Sequence, residues 1–120
     1  MSQAKHSKYR NHRVEPYFSF LKNGEKTVEG RLNKGKYLDM RRGDFIQVFN
    51  KLETASVTVQ VVRVSRYDSI SQMLENEELR RMLPDVNSVE EGLSIYRRFY
   101  PEQQEEESGM VAIEVELVET

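Results

Sequence analysis

Apolar and polar positions alternate along the chain in a way that predicts short helices and strands. Tyr17, Phe20 and Leu21 recur at i, i+3 and i+4 behind Pro16, which predicts a two-turn helix over 16–23. Gly24 follows at the position where a helix ends in a left-handed residue. From Thr27 to Asn33 the period changes to two: Val28 and Leu32 share one face, and Thr27, Glu29 and Arg31 share the other. Further strands are predicted near 45–49, 56–64 and 110–118, the first two joined by a hairpin loop over 51–55. Within 56–64, Val57, Val59 and Val61 face one way, whereas Val62 and Val64 face the other. That phase change means burial on both sides or a bulge. Ser69 with Gln72 and Ser88 with Glu91 form two capping boxes, predicting helices over 70–76 and 89–99. The stretch EQQEEES over 102–108 has no apolar residue and reads as an acidic loop.

Helices at the start and middle, strands between them and a strand last predict an α+β fold with a mostly antiparallel sheet. Residues 1–12 have no apolar period and read as a flexible basic arm, leaving 13–120 as one domain. No apolar run approaches the roughly 20 residues of a membrane span, and the basic N-terminus lacks the apolar stretch of a secretory signal. An intracellular protein, cytoplasmic or nuclear, is therefore expected, with no membrane partner and no cofactor.

Composition narrows the chemistry. Cysteine is absent and the only histidines are His6 and His12. Disulfides, thiolate metal sites and cysteine nucleophiles are excluded, and a histidine-rich metal centre is not expected. The net charge of −2 conceals a polarity: residues 1–42 carry a balance of +7 and residues 43–120 one of −9. A basic first third is an electrostatic footprint for an anionic partner such as RNA, unless the acidic remainder neutralises it across the surface.

The strongest local signal is Gly24-x-Lys26-x-x-Glu29-x-Arg31. A carboxylate and a guanidinium two residues apart on one strand face offer both an acceptor and a fork of donors. Nucleobase edges carry the complementary mixture. The structural alternative is an ion pair on an exposed sheet face, worth little to stability. Downstream, Lys34, Lys36, Arg41 and Arg42 are placed to meet phosphates, and Tyr37 among them to stack on an unpaired base.

The segment EPYFSFLKNGEKTVEGR over 15–31 resembles the opening of ASCH domains, a branch of the PUA-like superfamily marked by G-x-K-x-x-E-x-R. The likeness continues through Arg42-Gly43-Asp44-Phe45-Ile46, Tyr67-Asp68-Ser69, Leu83-Pro84, the Glu90-Glu91-Gly92 helix and the last strand, covering about 13–118. The resemblance implies a small PUA-like β-barrel flanked by helices, with RNA or a modified nucleoside bound in a cleft around Lys26, Glu29 and Arg31. It also implies an enzyme as the alternative, an amidohydrolase on acylated cytidine nucleosides or another RNA-processing hydrolase, since some small members hydrolyse such nucleosides with a lysine, a threonine three residues later and a distant carboxylate. Lys26 matches that lysine and Asp85 falls near the carboxylate, but Glu29 stands where the threonine belongs. Thr27 is two positions too early. Any catalytic set here is therefore Lys26, Glu29 and Asp85, and binding is expected to outweigh hydrolysis. Alanine at Glu29 or Arg31 is expected to weaken binding and leave the fold intact.

Overall fold

A computed structural model describes residues 9–118. Its elements in chain order are β1 (Tyr9–Arg13), α1 (Tyr17–Lys22), β2 (Val28–Leu32), β3 (Phe45–Asn50) and β4 (Ser56–Tyr67). There follow α2 (Ile70–Asn76), α3 (Leu79–Met82), α4 (Val89–Phe99), α5 (Glu102–Ser108) and β5 (Met110–Leu117). The strands form one curled sheet in the order β1-β3-β4-β5-β2, so β1 and β2 are its two edges. Only β1 with β3 is parallel; the other pairings are antiparallel. The α+β, barrel-like expectation holds, in the form of a five-stranded half-barrel with helices packed around it.

Local signals account for most boundaries. Gly24 ends α1 at φ 83°, where a side chain would be strained. Ser69 accepts the Gln72 N–H at 3.0 Å and Ser88 accepts that of Glu91 at 3.1 Å, so both capping boxes form. The pairing of β4 with β5 shifts register between Val61 and Arg63, which resolves the phase change as a bulge. It returns Val64 to the core that Val57, Val59 and Val61 face, one of two cores in the domain. That core lies inside the curl, where Phe18 and Leu21 of α1 meet Ile46, Val59, Val61, Ile113 and Val115. The other lies outside it, where Val28, Leu32, Met110 and Ala112 pack against Met73, Leu74, Met82 and Tyr96.

Two expectations are corrected. Residues 1–8 of the predicted arm lie outside the described residues, but Tyr9 to His12 belong to β1. Backbone pairing with β3 holds that strand, with little apolar burial, so no hydrophobic period announces it. The acidic stretch 102–108 is helix α5, not a loop. Glu and Gln are good helix formers behind Pro101, and one side chain anchors the helix. Glu105 is buried, accepting the Ile70 N–H at 2.6 Å and Arg97 Nη2 at 2.9 Å. Arg97 of α4 thus pairs with α5.

Candidate functional site

The curl brings the two sheet edges together, and side chains close the gap that backbone hydrogen bonds leave open. Arg13 of β1 donates through Nε to Glu29 Oε2 of β2 at 2.9 Å, and its Nη2 lies 2.8 Å from the same oxygen. Arg31 Nη2 donates to the His12 carbonyl at 3.2 Å. Beyond β2, the Tyr37 hydroxyl reaches Asn11 Oδ1 at 3.3 Å and Lys36 Nζ reaches the Arg10 carbonyl at 2.5 Å. This seam covers the polar face of β2. Glu29 is 6% exposed, so the structural alternative of an ion pair on an exposed sheet face does not form.

Lys26 emerges where α1 ends and is 3% exposed. Its ammonium donates to the Val28 carbonyl at 2.9 Å and the Met82 carbonyl at 2.5 Å, and lies 3.6 Å from Glu29 Oε1. It ties β2 to the end of α3. Burial pulls its pKa from 10.5 to about 8, although Glu29 pushes the other way. Burial would raise Glu29, but the charges of Arg13, Lys26 and Arg31 outweigh it and hold the carboxyl at about 2. Arg31 loses through burial and gains more from Glu29, then from the neighbouring Tyr37 and Tyr100, so its pKa is raised. Three cations thus surround one carboxylate.

Beside this cluster opens a cavity of about 210 Å³. Arg13, Lys26, Glu29, Gly30 and Arg31 line one side of it; Tyr17, Leu83, Ile95, Tyr96 and Tyr100 line the rest, with His12, Val14 and Phe99 completing the lining. Phe99 is 52% exposed and Val14 40%, an apolar lip on a polar floor. Arg31 Nε is shut off from solvent without a well-formed hydrogen bond, and Arg13 Nη2, equally shut off, meets the Glu29 carboxylate as an ion pair.

Of the residues singled out in sequence, Lys26, Glu29 and Arg31 converge on this cavity. Tyr37 is half-buried behind them, its ring 5.7 Å from the Arg31 guanidinium. Arg41 and Arg42 are exposed in the turn before β3 and do not line the cavity. Asp85 is exposed outside it, close enough for its charge to help burial raise the pKa of Tyr17. Sequence reasoning missed Arg13, which it placed at the edge of the arm, and the cavity role of Tyr17, Tyr96 and Tyr100. Tyr17 was legible as part of an apolar stripe; the hydroxyls that these tyrosines carry on otherwise core-facing positions were the overlooked signal.

The ASCH domain family model matches residues 12–119. The chain belongs to the ASCH domain family. Membership supports a PUA-like domain of the general RNA-binding type. The chain is similar over 92% of its length to the crystal structure of hypothetical protein PH0355, covering 98% of that chain, with 36% identity and a TM-score of 0.82. The solution structure of protein PF0455 from Pyrococcus furiosus is 35% identical over 93% of this chain and 98% of its own, with a TM-score of 0.73. An ASCH domain from Lactobacillus crispatus shares the fold at 12% identity and a TM-score of 0.53, over 92% of this chain and 80% of its own. No curated protein matches the sequence. Among the described residues, no helix of this ASCH domain is long and apolar enough to cross a membrane, and no cluster of His, Asp or Glu is arranged to hold a metal.

Proposed function

We propose that the domain binds RNA through a single nucleobase seated in the seam cavity. The carrying observation is the composition of its wall: three tyrosines and Phe99 face a floor of Arg13, Lys26, Glu29 and Arg31. Aromatic rings stack on the π-face of any base, and the charged floor offers donors and an acceptor to its edge. At about 210 Å³ the cavity is smaller than the roughly 300–1,000 Å³ of drug-sized ligand sites, which suits one ring system rather than a whole nucleotide. The three cations against one carboxylate favour a ligand attached to phosphate. Exposed Lys34, Arg41 and Arg42 lie outside the cavity, where they would add only non-specific attraction to a phosphate chain.

The test is fluorescence anisotropy with a labelled single-stranded RNA, comparing the wild type with Arg31→Ala. Affinity should fall at least tenfold in the variant and decline with salt. Equal affinity in both proteins would refute the assignment.

A second reading rests on one observation, the Lys26 amine brought to about 8, within reach of general-base work in mildly alkaline solution. That reading is hydrolysis of acylated cytidine nucleosides, with Lys26, Glu29 and Asp85 as the catalytic set. Two carbonyls already accept from Lys26, and Asp85 stands outside the cavity, so binding is the stronger reading. Without threonine at position 29, the covalent acyl route is closed. Deacetylation of N4-acetylcytidine should therefore run below the common enzyme range of about 1–10³ per second. Robust turnover abolished by Lys26→Ala would reverse the ranking.

A further inference from the structure

The edge strand β2 carries an unused pair of backbone groups at the cavity. The Thr27 carbonyl accepts the Val115 N–H at 2.8 Å, and the Asn33 N–H donates to the Gly109 carbonyl at 3.0 Å. An antiparallel ladder alternates, so Glu29 and Arg31, in phase with these two, also turn their backbone groups toward β5. Val28, Gly30 and Leu32 turn theirs away from β5, toward the seam. The Val28 carbonyl is taken by Lys26 Nζ, and that of Leu32 by the Lys34 N–H at 2.9 Å. Gly30 keeps both its N–H and its C=O pointing outward, and it lines the cavity. In the ladder Gly30 faces Ala112 at a position without hydrogen bonds, and no hydrogen bond to either group is found elsewhere among the described residues. Buried backbone groups are nearly always paired, because an unpaired one costs about 1–3 kcal/mol.

A residue in extended conformation presents its N–H and C=O side by side on the same edge. The complement is a ring edge with an acceptor next to a donor. Every unpaired base has that arrangement on its Watson–Crick edge: N1 and the N6 amino group in adenine, O4 and N3–H in uracil, N3 and the N4 amino group in cytosine, O6 and N1–H in guanine. The aromatic wall would hold the faces of such a ring while Gly30 meets its edge. We propose that the cavity reads an unpaired base by its Watson–Crick edge through the Gly30 backbone, an inference that rests on the nucleobase reading above. The site then accepts single-stranded or flipped-out nucleotides and rejects paired ones, with little preference among the four bases.

Gly30 itself is not open to substitution, since a Cβ would lie 2.8 Å from both the Tyr96 hydroxyl and Met73 Cε. The ligand is altered instead. Uridine and guanosine 5′-monophosphates are titrated against 15N-labelled protein beside their N3-methyl and N1-methyl forms, which block the edge without charging the base. The parent nucleotides should bind and move the Gly30 amide resonance; methylation should weaken binding at least fivefold. Equal binding of parent and methylated nucleotides, with the Gly30 amide unmoved, would overturn the edge-reading inference and leave the cavity assignment standing. Failure of every nucleotide to bind would overturn the cavity assignment, and this inference with it.

Discussion

Two ionic clusters interrupt the sheet of this domain, and they are built differently. On β4, Arg63 donates to Glu114 through Nε at 2.8 Å, to Ser65 and Glu77 through Nη1, and to Glu77 through Nη2 at 2.6 Å. The Tyr67 hydroxyl completes the set on Glu77 at 2.6 Å. At the seam, Arg13, Lys26 and Arg31 crowd a single carboxylate, and a cavity opens beside them. A satisfied network locks structure in place. The seam has surplus positive charge, an aromatic wall and a cavity, features a ligand would complete. On the proposed reading, the first cluster is a rivet and the second a receptor.

The comparison is broken most sharply by removing the shared carboxylate of each cluster. Glu29→Ala leaves the buried Lys26 and the partly buried Arg13 and Arg31 without a counter-charge and should destabilise the fold by about 3–5 kcal/mol in urea unfolding. This revises the expectation of an intact fold, because Glu29 is a buried partner of Arg13. Glu77→Ala removes hydrogen bonds to a guanidinium 40% exposed and should cost less, about 2–3 kcal/mol. RNA affinity should survive Glu77→Ala at temperatures where that variant is folded; an equal binding loss in both variants would erase the distinction.

Titration sharpens it further. Glu29 ionises at about 2 in the folded domain against an ordinary 4.5, so its contribution is full above pH 4.5 and is lost as the pH falls toward 2. Glu77 is also lowered, chiefly by its bonds to Arg63, so acid alone does not separate the clusters. Alkali does. Between pH 8 and 10 the unfolded chain keeps a proton on Lys26 that the folded domain sheds, and stability should rise with pH there. Lys26→Met should flatten that limb of the pH–stability curve, whereas Glu77→Gln should leave it.

The smallest effect is expected at the lip. Phe99→Ala removes an exposed ring and should change stability by no more than about 0.5 kcal/mol. If the ring packs on bound RNA, affinity should still fall several-fold in the same anisotropy assay.

Much of this was legible along the chain, and the gaps have physical causes. The strands β2 to β5 and the helices α1, α2 and α4 follow from apolar period, capping boxes and a left-handed Gly24. The cluster of Lys26, Glu29 and Arg31 was visible as a motif because two of its members share a strand face. Arg13 was not, since it reaches Glu29 only when a five-stranded sheet curls edge to edge, and no local period encodes that closure. β1 escaped because backbone pairing holds it. Helix α5 escaped because its one buried anchor, Glu105, is a residue type that normally marks solvent.

Mapping ligand-induced shifts over the whole domain tests the central claim most directly. A 1H–15N spectrum recorded with increasing single-stranded RNA should show perturbations gathered on Arg13, Gly30, Arg31, Tyr96 and Tyr100, with the Arg63, Glu77 and Glu114 amides unmoved. Shifts confined to the exposed basic stretch 34–42, with a silent seam, would contradict the account.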